Sequence, residues 1–294
     1  MSHPLPSTQS RHLNDSKRQR LRSQTNEPIS WSTGAHYDQP HSDLTLYQTF
    51  HSVPRAQRRP KAEATQILVD FLTPLHHDEL TAAQTSALNR LSAAVRDPDW
   101  DSSLVIKAFA DIDVAFFDGR LRGNVVAVWA SEEDILEKGC GEGKPERGCF
   151  MGLCQPIAPE ENEGEPRCRV WLNSDAIFDA PDPRLQMWQT MLHELVHAYT
   201  VITSDPENFI DYHALNDPYH DAQFNYLLSM VDRRSMYHME IPARPAGKGH
   251  TICLNCNPRP LMPGDKEFGT DEQGRMLRDQ RTDPKWGEGS GEGS

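Results

Sequence analysis

The sequence predicts an α+β domain in which a small three-stranded sheet packs on helices, and three observations support this fold class. Apolar residues recur at helical spacing before residue 118 and again after residue 183. Three short strand patterns lie between these two helical regions. The segments at both ends of the 294-residue chain are polar and rich in proline, glycine or charge. Such segments bury too little apolar surface to fold alone, so we expect disordered termini around a folded centre.

Before the strands, apolar residues three and four positions apart predict three helices. This spacing predicts a short helix near residues 67–72, a second over 79–95 and a third over 104–118. Gly119 marks the end of the third. The first two fall within residues 62–100 and are accessory helices, which either cover the main domain or precede it as a separate hairpin.

The three predicted strands are short and rich in β-branched or aromatic residues. They cover residues 124–129, 150–154 and 168–172. Residues 131–148 are acidic and glycine-rich, so we expect an inserted loop there. Residues 156–166 are polar and are expected to form a hairpin loop.

The segment with the clearest chemical meaning is His193-Glu194-Leu195-Val196-His197. On an α-helix its two histidines lie one turn apart on one face, so both imidazoles can bind the same Zn²⁺. Glu194 lies beside that ion without having to bind it, and it can take a proton from a metal-bound water. The motif therefore predicts the centre of a zinc-dependent peptidase.

The surrounding sequence indicates whether this five-residue motif is a metal site or a chance occurrence of the pattern. Asp182 and Pro183 form a strong helix start, as N-cap and first helical residue. Residues 203–206 provide the stop. The apolar face between them consists of Met187, Met191, Leu192, Leu195, Val196 and Tyr199. The motif is thus expected on a buried helix with defined ends, which favours a metal site.

The third zinc ligand is predicted from the next helix. Asp217 and Pro218 give it the same kind of start, and the residues on its apolar face are His220, Phe224, Leu227, Leu228 and Val231. Because this face points inward to bury the leucines, His220 points inward with it. His213 is the rival candidate, although it lies in the preceding loop without an apolar stripe to orient it.

Charge and composition restrict the partners and the location. The net charge of −13 argues against a chain that coats nucleic acid over its whole surface. Residues 1–61 are nevertheless basic, with clusters at 17–22 and 55–61. This arm is either a nuclear-localisation or nucleic-acid-contacting segment or a solvated tail. Without a signal core or an apolar run long enough to span a membrane, the expected location is nuclear or cytoplasmic, with no membrane contact.

The region after the last helix has weaker signals. Residues 236–260 form an extension that contains Cys253-Leu254-Asn255-Cys256, half of a zinc ribbon. The pair either helps to bind a second zinc or consists of exposed thiols. Residues 261–294 are expected to be a disordered tail that ends in a flexible glycine-rich repeat.

An ordered series of segments resembles the SprT-like zinc metalloprotease family, the Spartan type of DNA-dependent protease. The matching segments are Phe116-Phe117-Asp118-Gly119-Arg120-Leu121, Val125-Val126-Ala127-Val128-Trp129, Met151-Gly152-Leu153-Cys154, Cys168-Arg169-Val170-Trp171-Leu172-Asn173, Met191-Leu192-His193-Glu194-Leu195-Val196-His197-Ala198-Tyr199 and His220-Asp221-Ala222-Gln223-Phe224. The series is far more specific than the five-residue motif alone.

The resemblance implies a zincin-like metalloprotease domain over residues 101–235. It implies Zn²⁺ held by His193, His197 and His220, with Glu194 as the catalytic base. It further implies proteolysis of DNA-associated or DNA-crosslinked proteins, with single-stranded DNA as a candidate partner through the basic arm. Two alternatives remain open: a zinc-binding adaptor without turnover, and a zinc peptidase that works independently of DNA.

Overall fold

The structure, a computed structural model, describes five parts of the chain. They are residues 15–25, 57–138, 150–157, 167–205 and 222–243. All of them fall within residues 1–258, one of two units into which the chain divides. No helix in these parts is long and apolar enough to cross a membrane.

Nine helices and one sheet make up these parts of the chain. The helices are α1 (Asp15–Gln24), α2 (Lys61–Leu72), α3 (Ala82–Arg96), α4 (Leu104–Lys107), α5 (Phe109–Phe116), α6 (Glu132–Lys138), α7 (Ser174–Asp179), α8 (Pro183–Thr203) and α9 (Ala222–Met239). The strands are β1 (Val125–Ala130), β2 (Gly152–Ile157) and β3 (Arg167–Asn173). The sheet order is β1-β3-β2, with β1 parallel and β2 antiparallel to β3. The predicted α+β class is confirmed.

The two faces of the sheet pack on different helices because side chains alternate along each strand. On one face, Gly152 and Cys154 of β2 lie opposite Leu172 and Val170 of β3, and this face packs on α8. On the other face, a smaller core covers the sheet beneath α6. Its buried members are Ile135, Leu136, Phe150, Leu153 and Trp171.

Helix α6 corrects one sequence prediction, because residues 131–148 were expected to form a loop. Its first turn carries three acidic residues, which suit the positive end of a helix dipole. The Ser131 hydroxyl accepts a hydrogen bond from the Asp134 N–H at 3.1 Å and caps the helix. Only Ile135 and Leu136 bury fully here, too few to produce a helical pattern in the sequence. Residues 139–149 lie outside the described parts.

The helix predicted over residues 104–118 is interrupted. Ala108 has ψ −8°, far from the usual helical value, and it separates α4 from α5. After α5, Asp118 and Gly119 both adopt positive φ, at 57° and 69°. The Asp113 carboxylate holds the following turn by accepting hydrogen bonds from the N–H groups of Leu121 and Arg122, each at 3.0 Å.

Helices α2 and α3 cover the main domain and do not form a separate hairpin. Leu68 and Leu72 of α2, and Leu88 and Leu91 of α3, belong to the same buried core as the residues of α5, α8 and α9. The Tyr199 hydroxyl of α8 donates a hydrogen bond to the Ala64 carbonyl at 2.9 Å. Burial raises the pKa of Tyr199 to about 12, so this hydroxyl remains a donor at neutral pH.

Arg234 of α9 is a fully buried cation that connects three parts of the fold. Its guanidinium donates to the carbonyl oxygens of Ala115 and Phe71, each at 2.7 Å, and of Pro74 at 2.8 Å. The Ala115 and Phe71 carbonyls lie in the last turns of α5 and α2, where a helix leaves acceptors unsatisfied, and Pro74 lies just beyond the end of α2. Burial lowers the pKa of Arg234 to about 10, which still leaves it charged at neutral pH.

Helix α1 lies inside the arm that was expected to lack structure, and the structure differs from that expectation here. Leu21 is only 2% exposed and joins the main core. Arg22 forms an ion pair with Asp179 of α7 at 2.8 Å, and Arg18 pairs with the same carboxylate at 3.5 Å. Exposed ion pairs contribute about 0–1 kcal/mol each, whereas burying a leucine contributes about 1.5–3 kcal/mol. Leu21 is therefore the main anchor of α1.

Candidate metal centre

The candidate centre lies on α8, whose ends are where the sequence predicts them. The Asp182 carboxylate caps the helix by accepting a hydrogen bond from the Leu185 N–H at 3.0 Å, and Pro183 is the first helical residue. At the other end, the backbone of Arg59 forms a short parallel bridge with Ser204. The Arg59 N–H donates to the Thr203 carbonyl, and the Arg59 carbonyl accepts from the Asp205 N–H. Both ends of the helix are thus fixed.

His193 and His197 are brought together on the buried face of α8. They are 3% and 0% exposed, and their ring centres lie 5.1 Å apart at an interplanar angle of 65°. A zinc-bound histidine nitrogen lies about 2.0–2.1 Å from the metal, so two rings bound at a tetrahedral angle have centres about 5 Å apart. The separation of this pair therefore fits a shared zinc ion.

Glu194 is fully buried beside this pair, on the side of α8 that faces β2. A Cβ built at Gly152 would lie 3.0 Å from the Glu194 Cγ and 2.6 Å from the Thr190 Cγ2. Cβ atoms essentially never lie as close as 2.6 Å to another heavy atom, so only glycine at this position allows β2 to approach α8 this closely. Sequence reasoning did not identify Gly152 as a site residue, although a glycine inside a strand pattern is a known sign of close approach.

Phe224, in the first turn of α9, packs against both histidine rings. Its ring is stacked on His197, with centres 4.1 Å apart and an interplanar angle of 24°, and it meets His193 at 5.3 Å. Phe224 was predicted as one member of the apolar face of its helix, and burial is confirmed for Phe224, Leu227, Leu228 and Val231 of that face. Its contact with the histidines was not predicted, because it depends on how α9 packs on α8.

Two buried cysteines lie on the face of the sheet that packs on α8. Cys154 and Cys168 are both buried, and neither is in a disulfide. Burial raises the pKa of the Cys154 thiol well above its usual value, and a hydrogen bond with Cys168 and the negative charge of Glu194 act in the same direction. Cys154 is therefore a neutral thiol at physiological pH.

The remaining sequence-predicted ligands lie outside the described residues. These are His220, its rival His213, and Cys253 and Cys256 of the extension. Within the described parts, no group of three or more His, Cys, Asp or Glu side chains is arranged to hold a metal. The structure thus describes two of the three predicted zinc ligands and the predicted base. Two imidazoles and an adjacent carboxylate are donors that suit Zn²⁺.

A scan against protein-family models, a search of curated proteins and a search of solved structures each found no match for this chain. The resemblance to SprT-like proteases therefore remains a prediction that rests on the segments quoted above.

Proposed function

We propose that this protein is a zinc-dependent endopeptidase of the SprT-like type that acts in the nucleus on DNA-associated or DNA-crosslinked proteins. The observation that carries the proposal is the arrangement on α8. Two buried imidazoles have the separation of a zinc-binding pair, and a buried carboxylate lies next to them against β2.

The proposed chemistry assigns one role to each residue. His193 and His197 would hold Zn²⁺, which would lower the pKa of a bound water and polarise the scissile carbonyl. Glu194 takes the proton of the attacking water and delivers a proton to the leaving amide nitrogen. Phe224 shields the two histidine rings on the side of α9 and limits the orientations they can adopt. Gly152 keeps β2 close enough to pack against the aliphatic part of Glu194.

His220 is proposed as the third ligand. It precedes Phe224 by four residues in the sequence, and Phe224 contacts both of the other proposed ligands. We expect wild-type protein to contain one tightly bound zinc at this centre and the His220→Ala variant to lose most of it. Zinc per chain, measured by elemental analysis after dialysis against a weak chelator, checks this. His213→Ala is the matched control and should retain the metal; the reverse result would transfer the role to His213.

A peptidase that works without DNA is the second candidate, and one observation favours it. Arg18 and Arg22, both from the basic cluster at residues 17–22, pair with the carboxylate of Asp179 in the same chain. Their charge is therefore partly neutralised before any nucleic acid binds.

Cleavage measured with and without single-stranded DNA separates the two candidates. For an enzyme activated by DNA, we expect single-stranded DNA to accelerate cleavage of a denatured protein. The acceleration should fall steeply between about 50 and 200 mM salt, because phosphate contacts release counterions. A chelator-sensitive rate that is the same with and without DNA at both salt concentrations would support the DNA-independent enzyme.

A further inference from the structure

A second pair of histidines lies far along the chain from the α8 centre. His77 is in the connection between α2 and α3, and His238 is in the last turn of α9. Their ring centres are 5.1 Å apart with an interplanar angle of 69°, compared with 5.1 Å and 65° for His193 and His197. The second pair therefore has the separation that two imidazoles bound to one metal ion require.

The hydrogen bonding of His238 leaves one ring nitrogen available. The ring forms a hydrogen bond with the backbone of Leu75. Because the Leu75 N–H already donates to the Glu79 carboxylate, the ring N–H donates to the Leu75 carbonyl. The other nitrogen, Nε2, is buried and has no hydrogen-bond partner among the described residues. Metal-bound histidines commonly donate one ring N–H to a carbonyl in this way, which directs the lone pair of the other nitrogen at the metal.

The loop that carries His77 is held in place by its own hydrogen bonds. The Glu79 carboxylate accepts hydrogen bonds from the N–H groups of Leu75 and His76, each at 3.1 Å.

We propose that His77 and His238 bind a second divalent transition-metal ion, such as Zn²⁺, between the α2–α3 connection and the end of α9. The two imidazoles supply two ligands, and water completes the coordination, since no third His, Cys, Asp or Glu joins them in the described parts of the chain. The site is distinct from the α8 centre and does not depend on the proposed peptidase activity.

Occupation of this second site has a structural consequence for α9. The metal would link the C-terminal turn of α9 to the chain that follows α2, next to the carbonyls bound by Arg234. The other end of α9 carries Phe224, which packs on His193 and His197. Metal binding at His77 and His238 should therefore raise the thermal stability of the domain.

A zinc titration of the full-length protein tests the proposal. The protein is first dialysed so that only tightly bound zinc remains, and Zn²⁺ is then added in a calorimeter at pH 7.5. Wild type should bind one further equivalent, and His77→Ala should lose that equivalent or bind it at least about tenfold more weakly. Because His77 is exposed, its replacement does not disturb the core.

His76→Ala is the matched control, since His76 is also exposed and its Nδ1 lies 3.1 Å from the Tyr237 hydroxyl. It should bind zinc as wild type does. As a direct readout, the ¹⁵N chemical shift of the His238 Nε2 should move on zinc addition in wild type and stay in place in His77→Ala. The proposal is overturned if His77→Ala and wild type give the same titration, or if His76→Ala loses the same equivalent.

Discussion

Replacing Glu194 with glutamine is expected to leave the zinc content of the protein unchanged and to slow peptide-bond cleavage by at least about 10²–10⁴-fold. General-base catalysis typically contributes a factor of this size, and an amide cannot accept the proton of the attacking water. Glutamine matches the shape of glutamate, so the contact of the Glu194 Cγ with β2 is preserved. The loss of activity would then come from chemistry and not from altered packing.

The experiment compares chelator-sensitive cleavage of a denatured protein with zinc content in the same preparations. Glu137→Gln provides the control, because it makes the same change in charge at a residue that is exposed on α6, at the other face of the sheet. A Glu194→Gln protein as active as wild type would remove Glu194 from the mechanism. If wild type itself binds zinc but cleaves nothing under any condition, the adaptor without turnover becomes the better description.

Replacing Arg234 with methionine is expected to lower the free energy of unfolding by about 3–5 kcal/mol. Hydrogen bonds to a charged group contribute about 1.5–3 kcal/mol each, and acceptors left buried and unsatisfied add a penalty. The three carbonyls of Ala115, Phe71 and Pro74 would lose their donors together. A domain is stable by only about 5–15 kcal/mol, so this loss is a large fraction of the total.

Urea denaturation followed by circular dichroism measures the effect. The control is Arg233→Met, because Arg233 is the exposed neighbour on the same helix and its loss should change stability by less than about 0.5 kcal/mol. Equal stability of the two variants would show that water or a shifted backbone replaces the donors of Arg234. Arg234→Lys should fall between them, since an ammonium group cannot reach three carbonyls with the geometry of a guanidinium.

The sequence predicted α8, β1 and β3 well because their signals are local. The second strand was predicted two to three residues too early, since β2 is Gly152–Ile157 and includes the first two residues of the predicted loop over 156–166. Asp182 and Pro183 mark the start of α8 without reference to any other part of the chain. Helices α6 and α7 were not predicted, since each is short and owes its burial to contacts with other elements. Helix α7 begins at an Asn173 cap that accepts hydrogen bonds from two N–H groups, a signal visible in the sequence only after the end of β3 is known.

The residues of the candidate site also fall into those that local sequence predicts and those that depend on tertiary packing. His193, Glu194 and His197 could be predicted because one helical turn fixes their relative positions. Gly152 and Phe224 come from a strand and a helix that are distant in sequence, and their roles depend on how closely β2 and α9 approach α8. Spacing along the chain carries no measure of such a distance, so only the tertiary structure identifies these two residues.

The position of α1 sets a boundary for recombinant fragments of this protein. A fragment that starts at residue 57 would include every element that carries the proposed centre, yet it would lack Leu21 and the two guanidinium groups that face Asp179. Newly uncovered apolar surface favours aggregation during expression and purification. A fragment intended for biochemical work should therefore begin before Asp15.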